Sequence, residues 1–175
     1  IFTTIGMCIG LTGIRFALES NWESAVVCVL VAAFFDLIDG LTARMLKATS
    51  KIGAELDSLS DAVSFGVTPT VILYLWLVSI MKADSSYLLG WYWIPFIFYS
   101  SCCVLRLARF NTANRQAVLE NPRPTVSYFV GVPSPAGAII LLYPIILEVN
   151  LVRFGITAKE WIQPLHVCFW VMIRS

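Results

Sequence analysis

Long apolar blocks separated by short polar stretches set the pattern of this chain. A membrane-spanning helix needs about 20 mostly apolar residues. Six blocks fit or approach that length: about Ile1 to Leu18, Glu23 to Leu46, Ile52 to Met81, Trp91 to Phe110, Ser127 to Val149, and a short one starting near Trp161. Backbone groups in lipid must be satisfied within their own segment, so these blocks predict helices and not strands. Trp91, Tyr92 and Trp93 look like an interfacial belt at the start of the fourth helix. Pro133 and Pro135, early in the fifth, predict a helix that is opened or kinked, with freed carbonyls. Pro122 and Pro124 mark the loop before it. The expected fold is all-α: a polytopic membrane protein with six transmembrane helices in one bundle.

Composition agrees with that pattern. Of 175 residues, 58% are hydrophobic and 13% charged, with a mean hydropathy of +0.80. A soluble domain carries roughly 45–50% apolar and about 25% charged residues, so one soluble core is excluded. The length suits a single membrane domain, 1–175. With no initiator Met, a start inside an apolar block at Ile1 and an abrupt end at Ser175, both termini are expected to be truncated. A net charge of +1 gives no reason to expect nucleic acid. Cys8, Cys28, Cys102, Cys103 and Cys168 form no CxxC pair and read as reduced core cysteines. His166 is the single histidine and is given no role.

Basic residues sort by side. Arg44, Lys47 and Lys51 follow the second helix, Arg106, Arg109, Arg115 and Arg123 follow the fourth, and Arg174 lies at the C-terminal end. Arg15, Lys82, Arg153 and Lys159 fall on the opposite side. The positive-inside rule then places the second-to-third and fourth-to-fifth connections, and both termini, in the cytoplasm.

The chemistry is concentrated in Asp36-Leu-Ile-Asp39-Gly40-Leu-Thr-Ala43-Arg44 and, eight residues later, Gly53-Ala-Glu-Leu-Asp57-Ser-Leu-Ser-Asp61. One Asp at the centre of a spanning helix costs about 2.5–3.5 kcal/mol, so four need compensation. At about 100° per residue, Asp39 lies about 60° from Asp36, and Gly53, Asp57 and Asp61 advance by about 40° each. Two adjacent antiparallel helices can thus turn four carboxylates toward one another near their cytoplasmic ends. Close anions of this kind are stable when protonated or bridged by cations, and hard oxygen ligands suit Mg²⁺, Mn²⁺ or Ca²⁺. Two such ions can clamp a phosphoryl group. Gly40, Ala43 and Gly53 remove bulk where a nucleotide would approach the backbone. Arg44 offers a fork for phosphate, and Ser50 a hydroxyl in the turn. Taken alone, Gly40 and Gly53 read as helix-packing residues, as do Ala54, Ser58 and Ala62. Packing does not account for four acids and an arginine beside them.

The pattern D-x2-D-G-x2-A-R-x8-G-x3-D-x3-D, matched here at every fixed position, resembles the signature of the CDP-alcohol phosphotransferases. The likeness extends to the six-helix organisation and so to nearly the whole chain. It implies two metal ions, Mg²⁺ or Mn²⁺, bridged by Asp36 and Asp57, with Asp39 completing one site. Asp61 would complete the other and act as general base. Gly40, Arg44 and Ser50 would contact the CDP portion of the lipid, with Ala43 and Gly53 making room for it. The resemblance also implies a homodimer.

Three further segments resemble the branch of that family that uses serine: Asp61-Ala-Val-Ser-Phe-Gly-Val-Thr-Pro69, Leu105-Arg-Leu-Ala-Arg-Phe-Asn111 and Gly131-Val-Pro-Ser-Pro-Ala136. The expected partners are then CDP-diacylglycerol, L-serine and membrane lipids. Arg106 and Arg109, three apart, can hold the serine carboxylate. Asn111, or carbonyls near Pro133 and Pro135, can receive its ammonium. Ser64 and Thr68 share the broad helical sector of Asp61, and Ser134 reads as a helix-bend residue. Competing expectations are a family member that uses glycerol phosphate or inositol phosphate, and a membrane cation or proton transporter.

Overall fold

A computed structural model describes residues 2–46, 51–81, 86–120 and 133–153, and all of its regular structure there is helical. The elements are α1 (Phe2–Leu18), α2 (Trp22–Leu46), α3 (Lys51–Asp61), a π-helical segment (Ala62–Val67), α4 (Thr68–Met81), α5 (Ser86–Glu120) and α6 (Ser134–Arg153). The predicted sixth helix near Trp161 lies outside the described residues, as does His166. Four stretches are long and apolar enough to cross a bilayer: Trp22–Leu41, Glu55–Ile80, Trp93–Thr112 and Ser134–Leu151. Thr3–Leu18 is apolar but shorter. These stretches are consistent with a multi-pass integral membrane protein.

The α1–α2 connection is fixed by local chemistry. Ser20 adopts a left-handed φ of 60°. Its N–H donates to the Ala17 carbonyl at 3.0 Å, and the Asn21 N–H donates to Phe16 at 2.9 Å. This is the Schellman closure of a helix C-terminus. Asn21 then caps α2, its Oδ1 accepting the Ser24 N–H at 3.2 Å. The tight turn makes α1 and α2 an antiparallel hairpin.

The apolar core lies toward this turn. Ala17, Ala25, Val29, Ile72, Trp76, Leu142 and Ile145 are buried together, joining α1, α2, α4 and α6. On α1, glycines permit the close approach. A Cβ on Gly13 would stand 3.1 Å from the Ala25 carbonyl oxygen, and one on Gly10 would stand 3.2 Å from Ser64 Oγ. Many large apolar side chains are exposed, including Phe34, Leu37, Phe98 and Ile140. In a bilayer that is the surface offered to lipid.

Three expectations change. The fourth helix begins at Ser86 and runs to Glu120, ten residues past Phe110. Its extension, rich in Ala, Arg, Gln, Leu and Glu, has helix propensity without hydropathy. Second, the described part of the fifth predicted helix begins only at Ser134, with residues 127–132 outside the described residues. Pro133 precedes α6, Pro135 sits in its first turn, and the Pro133 carbonyl accepts the Gly137 N–H at 3.0 Å. Proline is favoured there because first-turn amides have no helical partner. Third, the core-cysteine reading holds for Cys103, whereas Cys8 and Cys102 face outward and Cys28 is half-buried. Cys168 lies outside the described residues.

Candidate active site

Asp36 and Asp39 occupy the far end of the α2 span, and Asp57 and Asp61 the beginning of the next. All four are half-buried. The carboxyl groups of Asp36 and Asp61 share a hydrogen bond, and Asp57 lies within electrostatic reach of Asp36, Asp39 and Asp61. The two acidic faces therefore converge. They do so without close packing of their helices: α3 rests mainly on α1 and the π-segment, and makes little backbone contact with α2. The gap is bridged by one residue of α1, through its hydroxyl and its backbone carbonyl. Thr3 Oγ1 donates to Asp39 Oδ2, and the Thr3 carbonyl accepts Ser60 Oγ at 3.2 Å. Nothing in the sequence pattern singled out Thr3 or Ser60.

Thr3, Asp36, Ser60, Asp61 and Ser64 line a small cavity behind the carboxyl pair. Among the described residues no salt bridge involves the four acids; Arg15 and Glu19 form an exposed ion pair elsewhere, at 3.2 Å. Arg106, half-buried on α5, is the cation placed near Asp61. Among the described residues Arg106 reaches Asp61 alone of the four acids, and the excess of negative charge is one that hard divalent cations would offset. The donor set, all carboxylate oxygen, fits such ions. Among the described residues, however, no three ligand-type side chains close on one point. The acids are instead paired with each other and with Thr3.

Among the described residues a Cβ on Gly40 would meet nothing within 4 Å, so none of the described helices requires a glycine there. Gly53 is exposed on α3. Ala43 and Arg44 continue α2, but their side chains lie outside the described residues, as does Ser50 entirely.

The acceptor residues separate. Arg106 Nη1 donates to Ser134 Oγ at 3.4 Å, whereas Arg109 is exposed. The Asn111 amide is engaged across helices: its Nδ2 donates to Ser58 Oγ at 2.9 Å, and Ser58 Oγ lies 3.2 Å from its Oδ1. Ser134 is no bend residue. It is buried, opens α6, and bonds both Arg106 and Cys103. Ser64 and Thr68 are buried hydroxyls with no partner among the described residues. Ser64 lines the same cavity as Asp61, as its place in the helix predicts, whereas Thr68 does not, because the turn between them is π-helical. A turn closed by an i→i+5 bond holds one extra residue, which rotates the succeeding helix by about 100°.

The family model for CDP-alcohol phosphatidyltransferases matches residues 1–172. The chain belongs to that family. It is 40% identical over 172 residues to a CDP-diacylglycerol–serine O-phosphatidyltransferase of Mycobacterium leprae (strain TN), covering 97% of this chain and 51% of that one. It is 38% identical over 169 residues to the protein of that name in Mycobacterium tuberculosis (strain ATCC 25618 / H37Rv), covering 97% and 54%. A third, in Bacillus subtilis (strain 168), is 35% identical over 174 residues, covering 95% and 86%. The chain thus spans about half the length of the mycobacterial relatives and most of the Bacillus one. No solved structure matches it.

Proposed function

We propose that this chain is a single membrane domain, 1–175, that transfers the phosphatidyl group of CDP-diacylglycerol to the hydroxyl of L-serine, releasing CMP. The observation that carries the reading is the convergence of Asp36, Asp39, Asp57 and Asp61 at one end of two spanning helices, beside a Gly40 whose missing side chain no described residue replaces. Three relatives that carry the serine-transferase name support the choice of acceptor.

Asp36, Asp39, Asp57 and Asp61 would hold two Mg²⁺ or Mn²⁺ ions. Bound there, such ions supply charge neutralisation for the pyrophosphate and the leaving oxygen. Gly40, Ala43 and Gly53 leave room for the CDP moiety, and Arg44 and Ser50 bind it. Arg106, which Ser134 orients, holds the serine carboxylate, with Arg109 at the outer mouth and Asn111 steadying α5 against α3. Asp61 accepts the serine hydroxyl proton on a carboxylate oxygen. The serine oxygen then forms its bond to the phosphorus bearing the diacylglycerol, and the bond from that phosphorus to the CMP oxygen breaks. Direct displacement is favoured because no activated covalent nucleophile stands beside the acids. The basic connections favour a site that faces the cytoplasm, and the family resemblance favours a homodimer.

The test is CMP release by purified protein given CDP-diacylglycerol, Mg²⁺ or Mn²⁺, and each acceptor in turn. Release with serine, and none with glycerol phosphate or inositol phosphate, is expected, and chelation should abolish it. Release only with another acceptor would overturn the serine assignment. Ion uptake without CMP release would overturn the enzyme.

A further inference from the structure

The segment after Asp61 is held in a shape its own backbone cannot complete. Pro69 has no N–H, so the Phe65 carbonyl lacks its helical donor, and the proline ring crowds that carbonyl. The Thr68 N–H bonds to the Val63 carbonyl, an i→i+5 closure that widens the turn. Two adjacent residues of α5 reach the Phe65 carbonyl and the one after it. Tyr99 OH donates to Phe65 O at 3.4 Å, and Ser100 Oγ donates to Gly66 O at 2.8 Å. Thr70 Oγ1 fills the second lone pair of Gly66 O at 2.6 Å. Tyr99 is itself backed by α6, where a Cβ on Gly137 would come 3.1 Å from its hydroxyl.

These contacts matter because of their position. The π-turn joins α3, which carries Asp57 and Asp61, to α4, which is locked into the apolar core through Ile72 and Trp76. Its one extra residue rotates the acidic face by about 100° relative to α4. An α-helical reversion would therefore swing both carboxylates away from α2, and among the described residues the side-chain donors that reach Phe65 and Gly66 from a distant helix are those of α5. We infer that Tyr99 and Ser100 are positioning residues, whose hydroxyls hold the π-turn open and so aim Asp61 at Asp36. The inference deepens the proposed reaction and rests on it for its kinetic readout alone.

The experiment uses the full chain in detergent or nanodiscs, with steady-state kinetics of CMP release and amide hydrogen exchange measured on each variant. Tyr99→Phe and Ser100→Ala should each lower kcat about threefold to tenfold, the range that one lost hydrogen bond gives. KM for CDP-diacylglycerol should stay within about twofold, since the binding contacts are intact. Ser100→Thr should restore kcat. Exchange across residues 62–69 should rise in Tyr99→Phe and Ser100→Ala while that of α1 stays as in the wild type. Pro69→Ala provides the decisive background, because the new N–H can serve Phe65 O. There Tyr99→Phe should cost less than about twofold, the loss of a bond already replaced. An equal Tyr99→Phe penalty in both backgrounds, or unchanged exchange across 62–69, overturns the inference. If the wild type releases no CMP, the proposed reaction fails, and exchange in the same variants still decides whether α5 holds the turn.

Discussion

The two ends of the helix bundle treat polar groups in opposite ways. Near the α1–α2 turn, polar groups are paired: the Schellman closure serves the last carbonyls of α1, Asn21 caps α2, and Trp76 Nε1 donates to the Glu148 carboxylate inside the core. Glu148 lies about 20 Å along α6 from Ser134, remote from the other acids, and its polar neighbour is an indole. At the opposite end, carboxylates are set against carboxylates, and Gly40 faces open space. One end is organised for folding. The other keeps together charges that folding alone would separate, which is the usual mark of a site built for a ligand.

That contrast can be broken by substitution. The largest effect is expected at the acidic end, where Asp61→Asn should lower the CMP-release rate by about 10²–10⁴-fold, the range for losing a general base. CDP-diacylglycerol binding should remain measurable by equilibrium titration. Normal turnover in that variant would remove Asp61 as the base.

A matched pair of glycines sharpens the comparison. Gly13→Ala places a methyl 3.1 Å from a backbone oxygen of α2, so it should destabilise the protein by about 1–3 kcal/mol, as overpacking does. Gly40→Ala meets nothing and should keep or slightly raise the thermal midpoint, by helix propensity of up to about 1 kcal/mol. Its cost should appear as a higher KM for the CDP-lipid. A Gly40→Ala protein as unstable as Gly13→Ala would return Gly40 to packing.

Trp76→Phe removes the donor to Glu148. Glu148 is half-buried, so the lost bond is worth about 0.5–1.5 kcal/mol, and the midpoint should fall slightly while kcat stays near that of the wild type. A large fall in kcat would show that the two ends are coupled. A similarly small effect belongs to Asn21→Ala, which loses a helix cap and about 1 kcal/mol, again without a kinetic change.

Much of this is legible along the chain. Hydropathy locates the spans because lipid forces backbone bonding within each segment. The spacing of Asp36, Asp39, Asp57 and Asp61 puts them on facing surfaces because helical phase is fixed at about 100° per residue. Less is legible wherever a partner from a distant helix decides the outcome. The hydroxyls of Thr3 and Ser60 carry no pattern that marks them as ties across the acidic gap. Asn111 reads as a ligand-binding amide, yet Ser58 holds it. Ser134 reads as a bend because a serine between prolines says nothing of the arginine on another helix that it meets.

The sequence by itself determined the helical class, the presence of apolar stretches long enough to cross a bilayer and the acidic motif of the family, because each depends on local spacing, hydropathy or residue type. Only the tertiary structure decided which way those residues face after Asp61. The proline at 69 requires that a backbone bond be lost, but whether the chain kinks or widens into a π-turn depends on what can reach the freed carbonyls. Here the answer came from α5, whose Tyr99 and Ser100 lie more than thirty residues away in the chain and within hydrogen-bonding distance in space.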